Sequence, residues 1–249
     1  MEEIANETIE KNVEIKHKKE FTIFDFPLSR ILAWCIVYSL VGDIIETLFG
    51  LLTKGVIESR QSFLYGPFCS IYGVGAVVMV LGLQKFNKNN YTLFAGGFVI
   101  GSVVEYVISF IGEWFFHIKW WDYSTMPFNI NGRICVCFSL FWGLLAIYLM
   151  TYVHPRIEKL LDKINPRALK PITIVLTIFI FIDFVVTGFA LKMFYVRLVK
   201  NYNLDIQGVE DYIDEYTKIY ENPKMKEFID KYFSDEKMLK TFPNIKVTK

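Results

Sequence analysis

Residues 97–113 read GFVIGSVVEYVISFIGE, and their spacing decides the fold. Taken at every fourth position, the stretch gives Gly97, Gly101, Glu105, Ser109 and Glu113. Residues four apart on a helix stack on nearly one face, so the sequence predicts an apolar rod carrying a single small-then-polar stripe. The rod runs from Tyr91 to Phe116. At about 1.5 Å per residue it measures roughly 39 Å, enough to cross a bilayer core of about 30 Å with some tilt. Gly97 and Gly101 let a second helix approach closely. A charged side chain at mid-bilayer costs on the order of 2.5–3.5 kcal/mol on insertion scales. Glu105 is therefore expected to face protein or water, to be paired, or to be protonated.

Working outward, apolar runs at 30–52, 64–86, 134–153 and 172–194 reach a similar length. The 249 residues are 53% hydrophobic and 17% aromatic, with a mean hydropathy of +0.33. The fold class expected is all-α: a polytopic membrane helix bundle of about five transmembrane helices with a C-terminal amphipathic helical tail. It divides into a soluble N-terminal arm (1–29), the bundle (30–194) and the tail (195–249). The arm does not read as a signal peptide, because the apolar segment after it is too long and no small-residue cleavage site follows. The net charge of +1, from 27 basic and 26 acidic residues, gives no case for nucleic acid. Cys135-Val136-Cys137 is not zinc spacing, and His17, His117 and His154 fall in no HExxH pattern. No cofactor, metal or catalytic residue is assigned.

The polar residues inside or beside the spans are the candidate site. In the first span Asp43 and Glu46 are three apart, hence neighbours; two such carboxylates in a dry place should not both ionise without a cation nearby, although Glu46 near the interface would simply be wet. Arg60 follows in a short polar loop, and Gly66-Pro67 reads as a helix start or break. Asn87-Lys88-Asn89-Asn90 reads as a tight turn into the third span. After Phe116 comes the densest polar-aromatic stretch, Lys119-Trp120-Trp121-Asp122-Tyr123-Ser124, then Phe128-Asn129-Ile130-Asn131-Gly132-Arg133. Trp and Tyr favour the headgroup level, so an aromatic belt explains the rings; a pocket wall also explains Asp122, Asn129 and Arg133. Asp183 lies deep in the fifth span. Alternate threading puts Glu46, Arg60, Glu113, Trp121, Asp122 and Arg133 on one side, with Glu105 and Asp183 deeper. Arg60 and Arg133 are the natural counter-charges.

In the tail, Tyr212, Ile213, Tyr216, Ile219 and Tyr220 form one amphipathic stripe. Asn222-Pro223 reads as the cap and first residue of a further helix, with Met225, Phe228, Ile229, Tyr232 and Phe233 as its apolar face. The tail is expected to lie on the membrane or to cap the bundle. Eleven basic residues near the spans on the N-terminal side, including Lys16, Lys18, Lys19 and Lys88, against seven on the other favour a cytoplasmic N-terminus.

A resemblance rests on motifs in order between about 32 and 153. They are Gly66-Pro67, Cys69 and Ile71-Tyr72-Gly73; Glu105-Tyr106 with Ser109 and Glu113; Trp120-Trp121-Asp122-Tyr123-Ser124; Phe128-Asn129; Gly132-Arg133-Ile134-Cys135; and Ser139 with Trp142-Gly143. Together they resemble the CmpB-type family labelled putative ABC transporter permease, with Ser70 standing where the family's proline is expected. The resemblance implies a membrane component working with a separate ATPase subunit. The chain has no Walker A loop of its own. The residues leave three roles open: a transport component binding or relaying a solute or protons, a membrane-embedded acid/base enzyme acting on a lipid or isoprenoid-like substrate, and a structural or accessory protein.

Overall fold

A computed structural model describes residues 21–86, 89–116, 118–202 and 210–247. The arm before Phe21, with His17 and its lysines, lies outside the described residues, as do Asn87, Lys88, His117 and the side chain of Tyr212. A short hairpin, β1 (Thr22–Ile23) with β2 (Phe26–Pro27), leads into α1 (Leu28–Lys54). Then come α2 (Ser70–Leu83), α3 (Asn90–Phe116), the strands β3 (Ile118–Lys119), β4 (Asn129–Ile130) and β5 (Ile134–Cys135), and α4 (Val136–Tyr148). A π-turn (Leu149–Val153) joins α4 to α5 (His154–Leu161), which is followed by α6 (Pro166–Tyr202). Three shorter helices, α7 (Glu210–Glu221), α8 (Pro223–Tyr232) and α9 (Asp235–Thr241), and the strand β6 (Lys246–Val247) complete the chain. Among the described residues, four helical stretches are long and apolar enough to cross a membrane: α1, α3, the continuous α4–α5 and α6. The chain is an all-α membrane bundle.

The segment expected at 64–86 as one spanning helix is helical only from Ser70, giving 14 residues in α2. That is roughly 21 Å, short of a bilayer core of about 30 Å. Gly66 takes φ +84° and Pro67 follows it, a pair that cannot continue a helix. Residues 55–69 instead run back into the bundle. The Cys69 N–H donates to the Ser39 carbonyl at 2.9 Å, less than halfway along α1, before α2 begins. Gly73 makes the close crossing possible, because a Cβ there would collide with Ser39 and the Cys35 carbonyl.

The Gly97–Glu113 stripe is the seam between α3 and its neighbours. Gly97 meets Ala146 and the Trp142 carbonyl, Gly101 meets the Trp142 ring, and Gly143 in turn receives Phe94. The opposite face of α3, with Val99, Val103, Val107, Phe110 and Trp114, is exposed, as a lipid-facing surface should be.

At the N-terminal end of α1 a second seam was not anticipated. Arg30, Trp34 and Tyr38 on α1 meet Asp162, Glu158 and His154 at the end of the α4–α5 rod as an antiparallel ladder. Arg30 reaches Asp162 at 2.6 Å and Glu158 at 3.1 Å, the Trp34 indole donates to Glu158 at 2.5 Å, and the Tyr38 hydroxyl meets His154 Nδ1 at 2.7 Å. Pro155 lacks the N–H that would bond the Thr151 carbonyl, and the helix widens just before it, His154 N–H bonding Leu149. The signal was in the sequence as two series spaced by four, one on each helix.

The tail caps the bundle. α6 continues unbroken past Phe194, and Ala190, Met193, Phe194 and Tyr195 are almost wholly buried, so this part of the helix is enclosed by the tail. Ile229, Phe233, Met238 and Phe242 from the tail pack on it, with Leu64 from the loop after α1 and, partly buried, Trp120 from the loop after α3. The Asn222 side chain caps α8 by accepting from the N–H groups of Lys224 and Met225, as expected. Ile229 and Phe233 of the anticipated apolar face are buried, whereas Phe228 and Tyr232 are exposed.

Candidate functional site

Glu105 sits in the middle of α3 and is 3% exposed. Its Oε1 accepts from the Tyr123 hydroxyl at 2.9 Å and its Oε2 from the Trp142 indole at 3.1 Å. One helix turn away, Ser102 and Ser139 are hydrogen-bonded at 2.7 Å across the same α3–α4 seam. Glu105 is thus held by neutral donors, not by an arginine. The two donors differ. An indole can only donate, whereas a phenol can donate or accept. A proton therefore fits on Oε1, where Tyr123 can reverse its hydrogen bond, and not on Oε2. Burial, then the charge and hydrogen bond of Glu105, push the Tyr123 phenol well above its ordinary value. Tyr123 stays protonated and stacks on Phe138, ring centroids 4.6 Å apart.

Glu46 repeats half of the arrangement on α1, its Oε1 accepting from the Tyr72 hydroxyl at 2.8 Å. The Tyr72 ring lies 5.8 Å from that of Trp142. Two carboxylate–tyrosine pairs thus flank one indole. Trp142 and Tyr72 were not among the candidate residues. Their signal was weak because an apolar helix rich in rings gives no sign of which ring points inward.

Lower on the stripe, Glu113 pairs with Arg133 at 2.5 Å and with Lys119 at 3.5 Å. Arg133 also donates to Ser109 at 3.4 Å and lies over the rings of Tyr106 and Phe110. The loop is built to deliver it. Asn131 and Gly132 both take positive φ, and Arg133 N–H closes the turn on the Ile130 carbonyl at 3.0 Å. An Asn-Gly pair between short strands was the missed hairpin signal. Asn129 braces this turn, donating to the Ser124 and Met126 carbonyls and accepting from Gly132 N–H. Asp122 accepts from Ser124 at its N–H and hydroxyl. The Trp121 indole donates to the Arg133 carbonyl at 2.9 Å. These three side chains shape the loop that carries Tyr123 and Arg133.

Arg60 and Asp183 fall outside this niche, each with partners of its own. Arg60 pairs with Glu58 at 3.3 Å and packs against Gly50. Asp183 accepts from the Tyr65 N–H at 3.1 Å and from the Thr187 hydroxyl at 3.2 Å, and Thr187 accepts from Leu64 N–H at 2.9 Å. Irregular backbone at membrane depth must have its polar groups satisfied by protein. Asp183 and Thr187 do this for the inward-turned loop.

The family model ABC_trans_CmpB, described as Putative ABC-transporter type IV, matches residues 33–188. The chain belongs to this family. The match runs from Ala33, in the second turn of α1, to Gly188 on α6, so the CmpB-type region holds the Glu105 seam and the Asp183 cluster and ends before the helical cap. It is a multi-pass membrane protein of transporter type. No curated protein and no solved structure matches the chain.

Removing the Asp183 carboxylate orphans the Tyr65 N–H, at a cost of about 1–3 kcal/mol. Asp183→Ala should therefore lower the Tm by several degrees and speed proteolysis within residues 55–69, whereas Asp183→Asn, which keeps a carbonyl oxygen, should do so less. Equal effects of the two variants in a thermal-shift and limited-digestion assay would contradict this role.

Proposed function

We propose that this chain is the membrane-spanning component of a transporter in which Glu105 relays protons, with Glu46 as a second relay group and a separate ATPase subunit as partner. The observation that carries the reading is the asymmetric hold on Glu105. One oxygen faces a donor that cannot reverse, and the other faces a hydroxyl that can. Such a carboxylate gains and loses a proton at one defined atom without rearranging its helix. Arg133 with Glu113 forms a charged pair on the same stripe, where it neutralises the approach to the niche. Between this niche and the ladder at the other end lies an apolar waist of Met79, Val80, Ala146 and Met150, all buried. In this reading the waist is the barrier a transport cycle opens. Membership of a family described as ABC-transporter type IV supports the ATPase partner in this reading.

The N-terminus is proposed to be cytoplasmic, on the eleven-to-seven excess of basic residues; the cap then lies outside. A periplasm-type alkaline phosphatase fused after Lys249 should be active and a fused green fluorescent protein dark, the reverse pattern contradicting the orientation.

The relay is tested in proteoliposomes loaded with a pH-sensitive dye, under a potassium–valinomycin potential. Wild-type protein should pass protons above the protein-free background. Glu105→Gln should fall to that background while inserting and melting normally. Tyr123→Phe, which keeps the ring and loses the reversible hydroxyl, should fall about a hundredfold, the low end of the range typical of a lost proton-transfer group. Wild-type flux from Glu105→Gln would overturn the proposal.

A further inference from the structure

The helical cap lies beyond the matched family region, which ends at residue 188, yet it grips both loops that flank the carboxylate niche. β6 pairs with β3 in antiparallel register, Ile118 opposite Val247 and Lys119 opposite Lys246. The next residue, Trp120, packs partly buried on the cap core while its ring covers Gly112 of α3, where a Cβ would collide with it. Three residues further on, Tyr123 donates to Glu105. On the other flank Leu64 is buried in the cap core, the Lys237 ammonium lies 4.9 Å from the centre of the Tyr65 ring, and Lys54 donates to Asn244 at 3.0 Å. The cap itself is fixed to α6, where the Arg197 guanidinium donates to Asp235 at 2.6 Å and to the Phe233 carbonyl at 2.5 Å.

The geometry points to a lid: the cap holds the 118–135 segment down through β6 and Trp120, and its release lifts Tyr123 from Glu105 and opens the niche to water on that side. The connection is short. Only Trp121 and Asp122 separate the ring held by the cap from the tyrosine held by the carboxylate. Because α6 carries both the cap and Asp183, a shift of α6 against α3 moves the lid and the inward-turned loop together. A two-residue strand pair is a small barrier, suited to opening without unfolding the bundle. This inference rests on the reading of Glu105 as the working group.

The test measures access to Glu105 directly. Dicyclohexylcarbodiimide forms a stable adduct with protonated carboxyl groups, and peptide mass spectrometry locates it, with Glu105→Gln as the blank. Labelling follows the open fraction. A full bundle ending at Asn244, which lacks β6, should label at Glu105 about tenfold faster than the complete chain. In a Cys137→Ala background, Lys119→Cys with Lys246→Cys joins facing positions of the strand pair. Oxidised, this variant should label several-fold more slowly than when reduced, and reduction should restore the rate. Unchanged labelling on truncation, or equal rates in the oxidised and reduced protein, would overturn the lid. Proton flux is read separately: normal flux from Glu105→Gln would sink the relay whatever the labelling rates.

Discussion

A carboxylate set halfway along an apolar helix is the constraint on which the rest of this structure depends. Hydrocarbon cannot solvate Glu105, so the protein must bring donors to it. One comes from a neighbouring helix, packed close because Gly97, Gly101 and Gly143 leave room for it. The other comes from a loop, which must be folded accurately enough to put a hydroxyl 2.9 Å from one oxygen. The Asn131-Gly132 turn, the Asn129 brace and the Trp121 bond to the Arg133 carbonyl serve that end, and the Glu113–Arg133 pair fastens the loop to the same helix face. Small residues above and ionic residues below are thus two parts of one solution.

The same rule governs the loop after α1. Its backbone turns inward to the level of Ser39, where its N–H groups need protein acceptors, and Asp183 and Thr187 supply them. An intramembrane acid is often read as a transport group. Here two acids in one bundle do different things. Asp183 is spent on backbone hydrogen bonds, whereas Glu105 is held by side chains, one of which can exchange donor for acceptor. Position in the membrane does not separate the two; the partners do.

How much of this was legible in the sequence follows from the same physics. The Gly97–Glu113 stripe could be read because a four-residue spacing is a property of the helix backbone, and it places five residues on one face whatever packs there. The capped start of α8 was legible for a similarly local reason. Tyr72 and Trp142 stand in the family motifs, but that they turn inward was not legible, since which ring of an aromatic helix does so depends on the neighbour it meets. The second apolar run was overread as a full span, because its hydropathy does not reveal that Gly66-Pro67 breaks the helix and that Asp183, far away in sequence, holds the broken part inside. The ladder of Arg30, Trp34 and Tyr38 against Asp162, Glu158 and His154 had the right spacing on each helix, but nothing local paired the two series.

The bundle therefore has polar contacts at both ends, an apolar waist between them, and a cap of its own over one end. The central claim is that Glu105 is enclosed by protein donors and not by lipid. A cryo-electron microscopy structure of the protein in lipid nanodiscs measures this most directly. It should find the Tyr123 hydroxyl and the Trp142 indole each within hydrogen-bond distance of a different Glu105 oxygen, with lipid acyl chains confined to the Val99–Val103–Val107 face of α3. Acyl-chain density against the Glu105 carboxyl, with Tyr123 and Trp142 turned away, would contradict the account.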